Sequence, residues 1–329
     1  MLRIHFTSQD LEHIRIARSP DPLWEIVCSV CRLQSKDGSI AFDPWRRVAG
    51  TRIRSGGAPQ WAVRMLRTLT PYAVYMPDFL TPHLEGENVS LAAGIDRVLS
   101  TPGRQLRAEM AALEAAAKKP IAYPALARGD IEALRLLGKG LRTYHEAFLA
   151  PAWDRIDAAV RADVAWRSRT LVAGGTRALL ETFRPMAVWH PPVLEVNYPV
   201  ERDLHLHGRG LRLIPSYFCW RRPITLIDET LRPVLVYPAD KTIAPLSAAA
   251  PELARLLGST RAFLLRETAT RDCGTTSELA AAVGISLPSA SQQLAVLREA
   301  GLLTSRRDGK HVLHTVTAMG LQLLGVRCG

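Results

Sequence analysis

Asp203, His205 and His207 alternate in the stretch DLHLH, so on a strand all three side chains face one side. A carboxylate beside two imidazoles is a donor set for a transition metal, or an acid–base pair. The simpler reading turns Leu204 and Leu206 inward and leaves the polar three in water, and it is the expectation here. Cys28-Ser29-Val30-Cys31 is a C-x-x-C whose thiols share one side of a helix, as in a redox pair or half a zinc site. Its neighbours Ile26, Val27, Val30 and Leu33 are apolar, no second C-x-x-C exists, and Cys219, Cys273 and Cys328 are scattered. Two buried small side chains are therefore expected. His190 stands alone between Trp189 and Pro191. Phosphate-loop, dinucleotide, H-E-x-x-H and G-x-S-x-G motifs are missing, and Gly138-Lys139-Gly140 lies in a helical pattern. No catalytic residue, metal or cofactor is expected.

The stretch SLPSASQQLAVLREAG, 286–301, offers chemistry of another kind. Ser286 can cap a helix, Pro288 suits its first turn and Gly301 stops it. On a helical wheel Ala290, Leu294 and Leu297 share the core side. Ser289, Gln292 and Val296 point away, with Gln293 and Ala295 on the flanks. The outward half is slim and uncharged where a solvated helix would carry Glu and Lys. Such a face fits a major groove: glutamine pairs bidentately with adenine, and serine contacts several bases. Ser289, Ser291, Gln292 and Gln293 are the candidate base-reading residues.

The flanks agree. Thr275 and Glu278 have capping-box spacing, which starts a helix that Gly284 ends. Two short helices around a Gly-containing turn make a helix-turn-helix. After the second comes LLTSRRDGKHVLHTV, in which Asp308-Gly309 signals a two-residue hairpin turn. A hairpin carrying Arg306, Arg307, Lys310 and His311 at its tip is a wing, able to hold phosphates or enter the minor groove.

The remaining elements must position these residues. A chain of 329 residues is about two domains' worth. Apolar content of 47% and charge of 22% are those of an ordinary folded protein. The net charge of +11 and pI near 9.8 favour an anionic partner. No apolar run reaches the ~18 residues of a membrane span, the start has no signal-peptide pattern, and five cysteines are an odd number for a disulfide framework. A cytoplasmic, nucleoid-associated protein is expected. Leu2, Ile4 and Phe6, then Ile14 and Ile16, read as two short strands. From Asp21 to about Phe183 the pattern is helical, and after Pro191-Pro192 it becomes strand-like, with a hairpin expected at Gly208-Arg209-Gly210. A helix is expected from about Glu252 to Thr270. The Pro/Ala-rich 238–251 marks a boundary between a domain at 1–245 and one at 246–329. Of the aromatic residues only Phe263 lies beyond 245.

Leu279-Ala280, Gly284-Ile285, Ser291, Leu294, Val296-Leu297, Glu299-Ala300-Gly301-Leu302, Arg307-Asp308-Gly309 and Val312 give about the last 75 residues their likeness. This region resembles the winged helix-turn-helix of the ArsR family of bacterial repressors. The resemblance implies dimerisation through the first and last helices, around 252–270 and 317–325. Many members have His where this chain has Gln293, so the family's base preference does not carry over at this position. The metal-sensing members' ligands do not carry over onto TTSELAAAV or TAMGLQLLGVRCG. Pro22-Leu23-Trp24-Glu25, GRGLRLIPSYFCW at 208–220 and LVYPA at 235–239 resemble the N-terminal domain of longer ArsR-like regulators of high-GC bacteria.

The expected architecture is α+β: a helix-rich N-terminal domain with a small antiparallel sheet, then a winged helix-turn-helix. The expected function is a homodimeric regulator on double-stranded DNA, a repressor by occlusion. The expected effector is an unidentified small molecule in the first domain, on a wall of Trp189, Tyr198, Tyr217, Phe218 and Trp220. Two alternatives stay open. One is an enzyme-derived first domain using Asp203, His205 and His207; the other is a protein-interaction platform with an accessory DNA-binding tail.

Overall fold

A computed structural model describes all residues except 73–74, 84–89, 119, 121, 229, 241–248, 272, 309–310 and 325–329. The chain divides into two compact units, residues 1–35 with 46–244, and residues 36–45 with 245–329.

The first unit opens with β1 (Leu2–His5), α1 (Ser8–Glu12) and β2 (Arg15–Ile16). A helical stretch follows: α2 (Pro22–Gln34), α3 (Ser39–Arg54, which starts in the second unit), α4 (Gly57–Leu69), α5 (Leu91–Leu99), α6 (Gly103–Ala117), α7 (Pro124–Ala127), α8 (Ile131–Tyr144) and α9 (Trp153–Glu181). The strands β3 (Ala187–His190), β4 (Val193–Val196), β5 (Arg202–His205), β6 (Arg212–Ser216) and β7 (Val234–Pro238) complete it. The second unit continues with α10 (Ala249–Leu257), α11 (Ser259–Thr270), β8 (Gly274–Thr275), α12 (Thr276–Val283), α13 (Leu287–Glu299), β9 (Leu303–Asp308), β10 (His311–Val316) and α14 (Ala318–Leu323). The architecture is α+β, as expected.

Strand pairing in the first unit differs from the expected antiparallel sheet. There are two sheets, one ordered β3-β4-β1-β5 and one ordered β2-β6-β7. In the first, β1 runs antiparallel to β4 but parallel to β5. The second is parallel throughout. The expected hairpin at 208–210 is therefore absent, since β5 and β6 belong to different sheets. Its glycines bend the chain for another reason. Gly210 has φ of 70°, its N–H donates to the Asp10 carboxylate at 2.9 Å, and a Cβ there would collide with the His13 carbonyl. The bend answers to a buried carboxylate rather than to strand pairing.

Alternation explains β1: Leu2 and Ile4 are fully buried, while Arg3 and His5 are not. Both sheets and the end of α9 share one apolar core, including Phe183, Leu194, Leu213 and Tyr237. The helical part closes on α8, where Leu137, Leu141 and Tyr144 are buried and α4 and α5 pack against it. Gly140 belongs to that packing, since a Cβ there would strike the Met65 methyl. Within the sheet core sits one ion pair. Arg167 Nε is 3.1 Å from Asp163 Oδ2, both side chains are 2% exposed or less, and Tyr237 Oη donates to the same oxygen at 2.8 Å. The guanidinium also lies 4.2 Å from the Phe183 ring centroid and 4.7 Å from that of Tyr237.

Two stability predictions follow from these carboxylates. Arg167→Ala leaves Asp163 buried without its counter-charge and should cost about 3–5 kcal/mol in urea unfolding. Burial pushes the Asp10 carboxyl up, but hydrogen bonds from Thr7 and from the Gly210 N–H outweigh it and hold the pKa below the ordinary 3.8. Its contribution is full above that value and is lost as pH falls through the lower folded value. Asp10→Asn should therefore flatten the acid limb of the stability curve, and it should lower neutral stability by roughly 1.5–3 kcal/mol.

Candidate nucleic-acid interface

The second unit is built on Leu264, Leu265, Leu279, Leu294, Leu297, Leu302 and Leu303, which form its core. The helix expected over 252–270 is two helices. Gly258, at φ of 82° and ψ of 148°, breaks it between α10 and α11, because that extended positive-φ backbone, open to glycine, cannot continue a right-handed helix. Downstream, local chemistry fixes the boundaries. Both halves of the capping box form, with the Glu278 carboxylate accepting from Thr275 N–H at 2.8 Å and Thr275 Oγ1 accepting from Glu278 N–H at 3.2 Å. Gly284 ends α12 in the αL conformation. Ser286 then caps α13, with Pro288 in the first turn. The chain bends by 107° between α12 and α13, within the roughly 90–120° of a helix-turn-helix.

This bend orients α13. Ala290, Leu294 and Leu297 are 1% exposed or less and face the core. Ser291 and Gln292 are exposed, and Ser289 and Gln293 are half-buried. Val296 is 37% exposed on the same outward side. No Asp, Glu, Lys or Arg occurs from Leu287 to Leu297. The outward side chains Ser291, Gln292 and Gln293 make no hydrogen bond or ion pair among the described residues, so their donors and acceptors face outward uncommitted.

β9 and β10 pair antiparallel from Leu303↔Val316 to Asp308↔His311, and β8 joins β10 to give the order β8-β10-β9. The expected Asp308-Gly309 turn falls partly outside the described residues, as do Lys310 and the His311 side chain. Arg306 and Arg307 are both exposed and, as strand neighbours, leave opposite faces of the ribbon. A residue that sequence reasoning missed anchors this sheet. His314 is 6% exposed, with Nε2 2.9 Å from Thr276 Oγ1 and Nδ1 2.8 Å from Ser305 Oγ. It ties the start of α12 to β9. Burial, and then the charge of Arg298, hold its pKa below 6.5.

The other sequence candidates sit in the first unit. Trp189 is 7% exposed and packs edge-on against Phe6 at 5.3 Å, with Tyr198 against the same core. Tyr217 and Phe218 pack edge-to-face at 5.1 Å, their N–H groups donating to Glu25 at 2.7 and 3.0 Å. Trp220 is half-buried. Tyr198 borders a hollow of about 330 Å³ by Met1 and Pro185. Trp189, Tyr217 and Phe218 are buried. Asp203, His205 and His207 are exposed, with Leu204 and Leu206 inward. His5 joins them, stacked on His205 at 4.3 Å and 2.7 Å from Asp203 Oδ1. The His5 bond, against a small cost of burial and with help from Arg3, holds the Asp203 carboxyl below its ordinary pKa. His190 is exposed. Cys28, Cys31 and Cys219 are free thiols; the neighbouring Cys219 thiol and burial push the Cys28 pKa up, and burial raises Cys31 to about 11. Among the described residues no group of three or more His, Cys, Asp and Glu is placed to hold a metal ion.

The His314 geometry gives a pH prediction. Because the folded pKa is depressed, this residue's contribution is full above 6.5 and is lost as pH falls through the folded value. His314→Gln keeps a hydrogen-bonding group and should remove that part of the pH dependence, read by thermal unfolding between pH 5 and 8.

Residues 256–306 match a family model described as a helix-turn-helix domain. No curated protein and no solved structure matches the chain. No single helix among the described residues is long and apolar enough to cross a membrane. The C-terminal unit thus carries a helix-turn-helix domain, and this domain supports a DNA-binding regulator.

Proposed function

We propose that the protein is a homodimeric, sequence-specific transcription regulator of the ArsR-like kind. It represses by occluding promoter DNA in the cytoplasm and is modulated through its first unit. The observation that carries this reading is the outward, uncharged Ser291–Gln292–Gln293 face of α13, set at 107° to the supporting α12. Amide and hydroxyl groups at the start of a recognition helix suit base edges in the major groove. Arg306 and Arg307 on the wing supply phosphate contacts. Dimerisation is supported by apolar side chains left in water on the first and last helices: Leu256 of α10 is 69% exposed and Met319 of α14 is 58% exposed. A two-fold dimer would present two recognition helices to half-sites about 10 bp apart, or a multiple of that.

The deciding experiment is footprinting on DNA upstream of the protein's own and adjacent genes. Gln292→Ala and Gln293→Ala should each cost about 1–3 kcal/mol on the protected site and leave random duplex binding almost unchanged. Equal losses on both duplexes would remove α13 from base readout. Neutralising a wing arginine should instead weaken all duplexes and flatten the log–log salt dependence by roughly 0.9 per lost contact. Since Arg306 and Arg307 leave opposite faces, one of the two should dominate. Leu256→Glu and Met319→Glu should shift the protein toward monomer in sedimentation and weaken operator binding with it.

A further inference from the structure

The parallel sheet of the first unit gathers arginines at one end. Arg15 of β2 and Arg212 of β6 are register partners, so their side chains leave neighbouring strands on the same face. Arg232 lies two residues before Val234, the partner of Arg212 on β7. Like charges opposite each other on paired strands are destabilising. Here they border a cleft of about 750 Å³, a size typical of small-molecule sites. Five arginines line it, Arg15, Arg18, Arg209, Arg212 and Arg232, and its described lining contains no Asp or Glu. His13 and His83 add ring nitrogens, and a neighbouring hollow of about 430 Å³ shares His13, Arg209 and Arg232. One wall is apolar, with Val164 and Leu171 from α9 beside Leu211.

Backbone carbonyls fix several of these groups in place. Arg209 donates to the carbonyls of Leu206, His205 and Leu231 at 2.9, 2.9 and 3.1 Å. Arg15 Nη1 donates to those of Glu12 and Ile14 at 3.0 Å each. Carbonyls orient the Arg15 guanidinium without cancelling its charge. Arg232 is exposed and makes no hydrogen bond or ion pair among the described residues. Burial lowers the Arg212 pKa, Asp21 opposes that, and the charge of Arg232 adds to it. An anion seated between these arginines would relieve the repulsion.

We propose that this cleft binds a small organic polyanion, with two or more phosphate or carboxylate charges on an apolar body. Guanidinium forks take such oxyanions bidentately, and a cleft of one charge sign focuses them. The apolar wall and the limited volume favour a small molecule over the continuous phosphate row of a duplex. The site stands whether or not the second unit binds DNA.

The test is calorimetric titration of the full chain, without DNA, using pyrophosphate, ADP and citrate. Saturable binding of at least one probe is expected. Arg15→Gln and Arg232→Gln should each weaken it ten-fold or more, about 1.4 kcal/mol, while the free protein still unfolds in one cooperative transition. Preference for pyrophosphate and ADP identifies a phosphate ligand, and preference for citrate a polycarboxylate. No binding of any probe at millimolar concentration, or binding that both variants leave untouched, would overturn the proposal. So would loss of duplex affinity in these variants with no small anion bound, which would assign the cleft to DNA. Probe binding in a chain that protects no DNA would keep the cleft and sink the regulator reading.

Discussion

Buried carboxylates that accept backbone N–H groups hold the first unit together. Glu25 of α2 takes the N–H groups of Tyr217 and Phe218 and the hydroxyl of Ser216. Asp78 takes those of Ile227 and Asp228, both at 2.8 Å, Asp10 takes Gly210, and Asp163 takes Asp240. Each acceptor sits in the first half of the chain and each donor in the segment after β5. Much of that segment is bend and loop, whose N–H groups cannot look to a ladder for partners. A carboxylate in a core is costly alone and tolerable when several donors converge on it. Asp78 shows the balance: burial pushes its pKa up, two backbone N–H groups pull it down, and the nearby Asp228 pushes it up again, so that it stays raised. The arrangement also shapes the parallel sheet, because the turn that delivers β6 alongside β2 is pinned through Gly210 to Asp10.

The second unit rests on different physics. Its boundaries are set by residues next to them in sequence: a capping box, an αL glycine, a serine cap and a proline in a first turn. That is why Thr275, Gly284, Ser286 and Pro288 were readable from the sequence, and why the inward placement of Ala290, Leu294 and Leu297 followed from period alone. The break at Gly258 was not readable, because an isolated glycine in a helical pattern is often tolerated. His314 was missed because its partners, Thr276 and Ser305, lie on other elements.

In the first unit, period gave the elements but not their partners. Leu2, Ile4 and Ile16 read as strand residues, yet β1 and β2 join strands nearly two hundred residues away, and no local signal encodes parallel register. The acceptor roles of Glu25 and Asp163 depend on N–H groups far away in sequence. The aromatic residues carry a related ambiguity in sequence: large rings are what a core needs, so their density reports packing before it reports a ligand. The arginine cleft left no trace at all, since Arg15, Arg18, Arg209, Arg212 and Arg232 share no spacing and meet only when the parallel sheet forms.

The outward face of α13 holds up nothing. Ser291, Gln292 and Gln293 bond to no described residue, and the helix is secured from behind by Ala290, Leu294 and Leu297 and at its start by Ser286. Fold and face are therefore separable in heredity as well as in space. A lineage could exchange these residues one at a time, passing through polar intermediates that all fold, and arrive at a different face without first repairing a core.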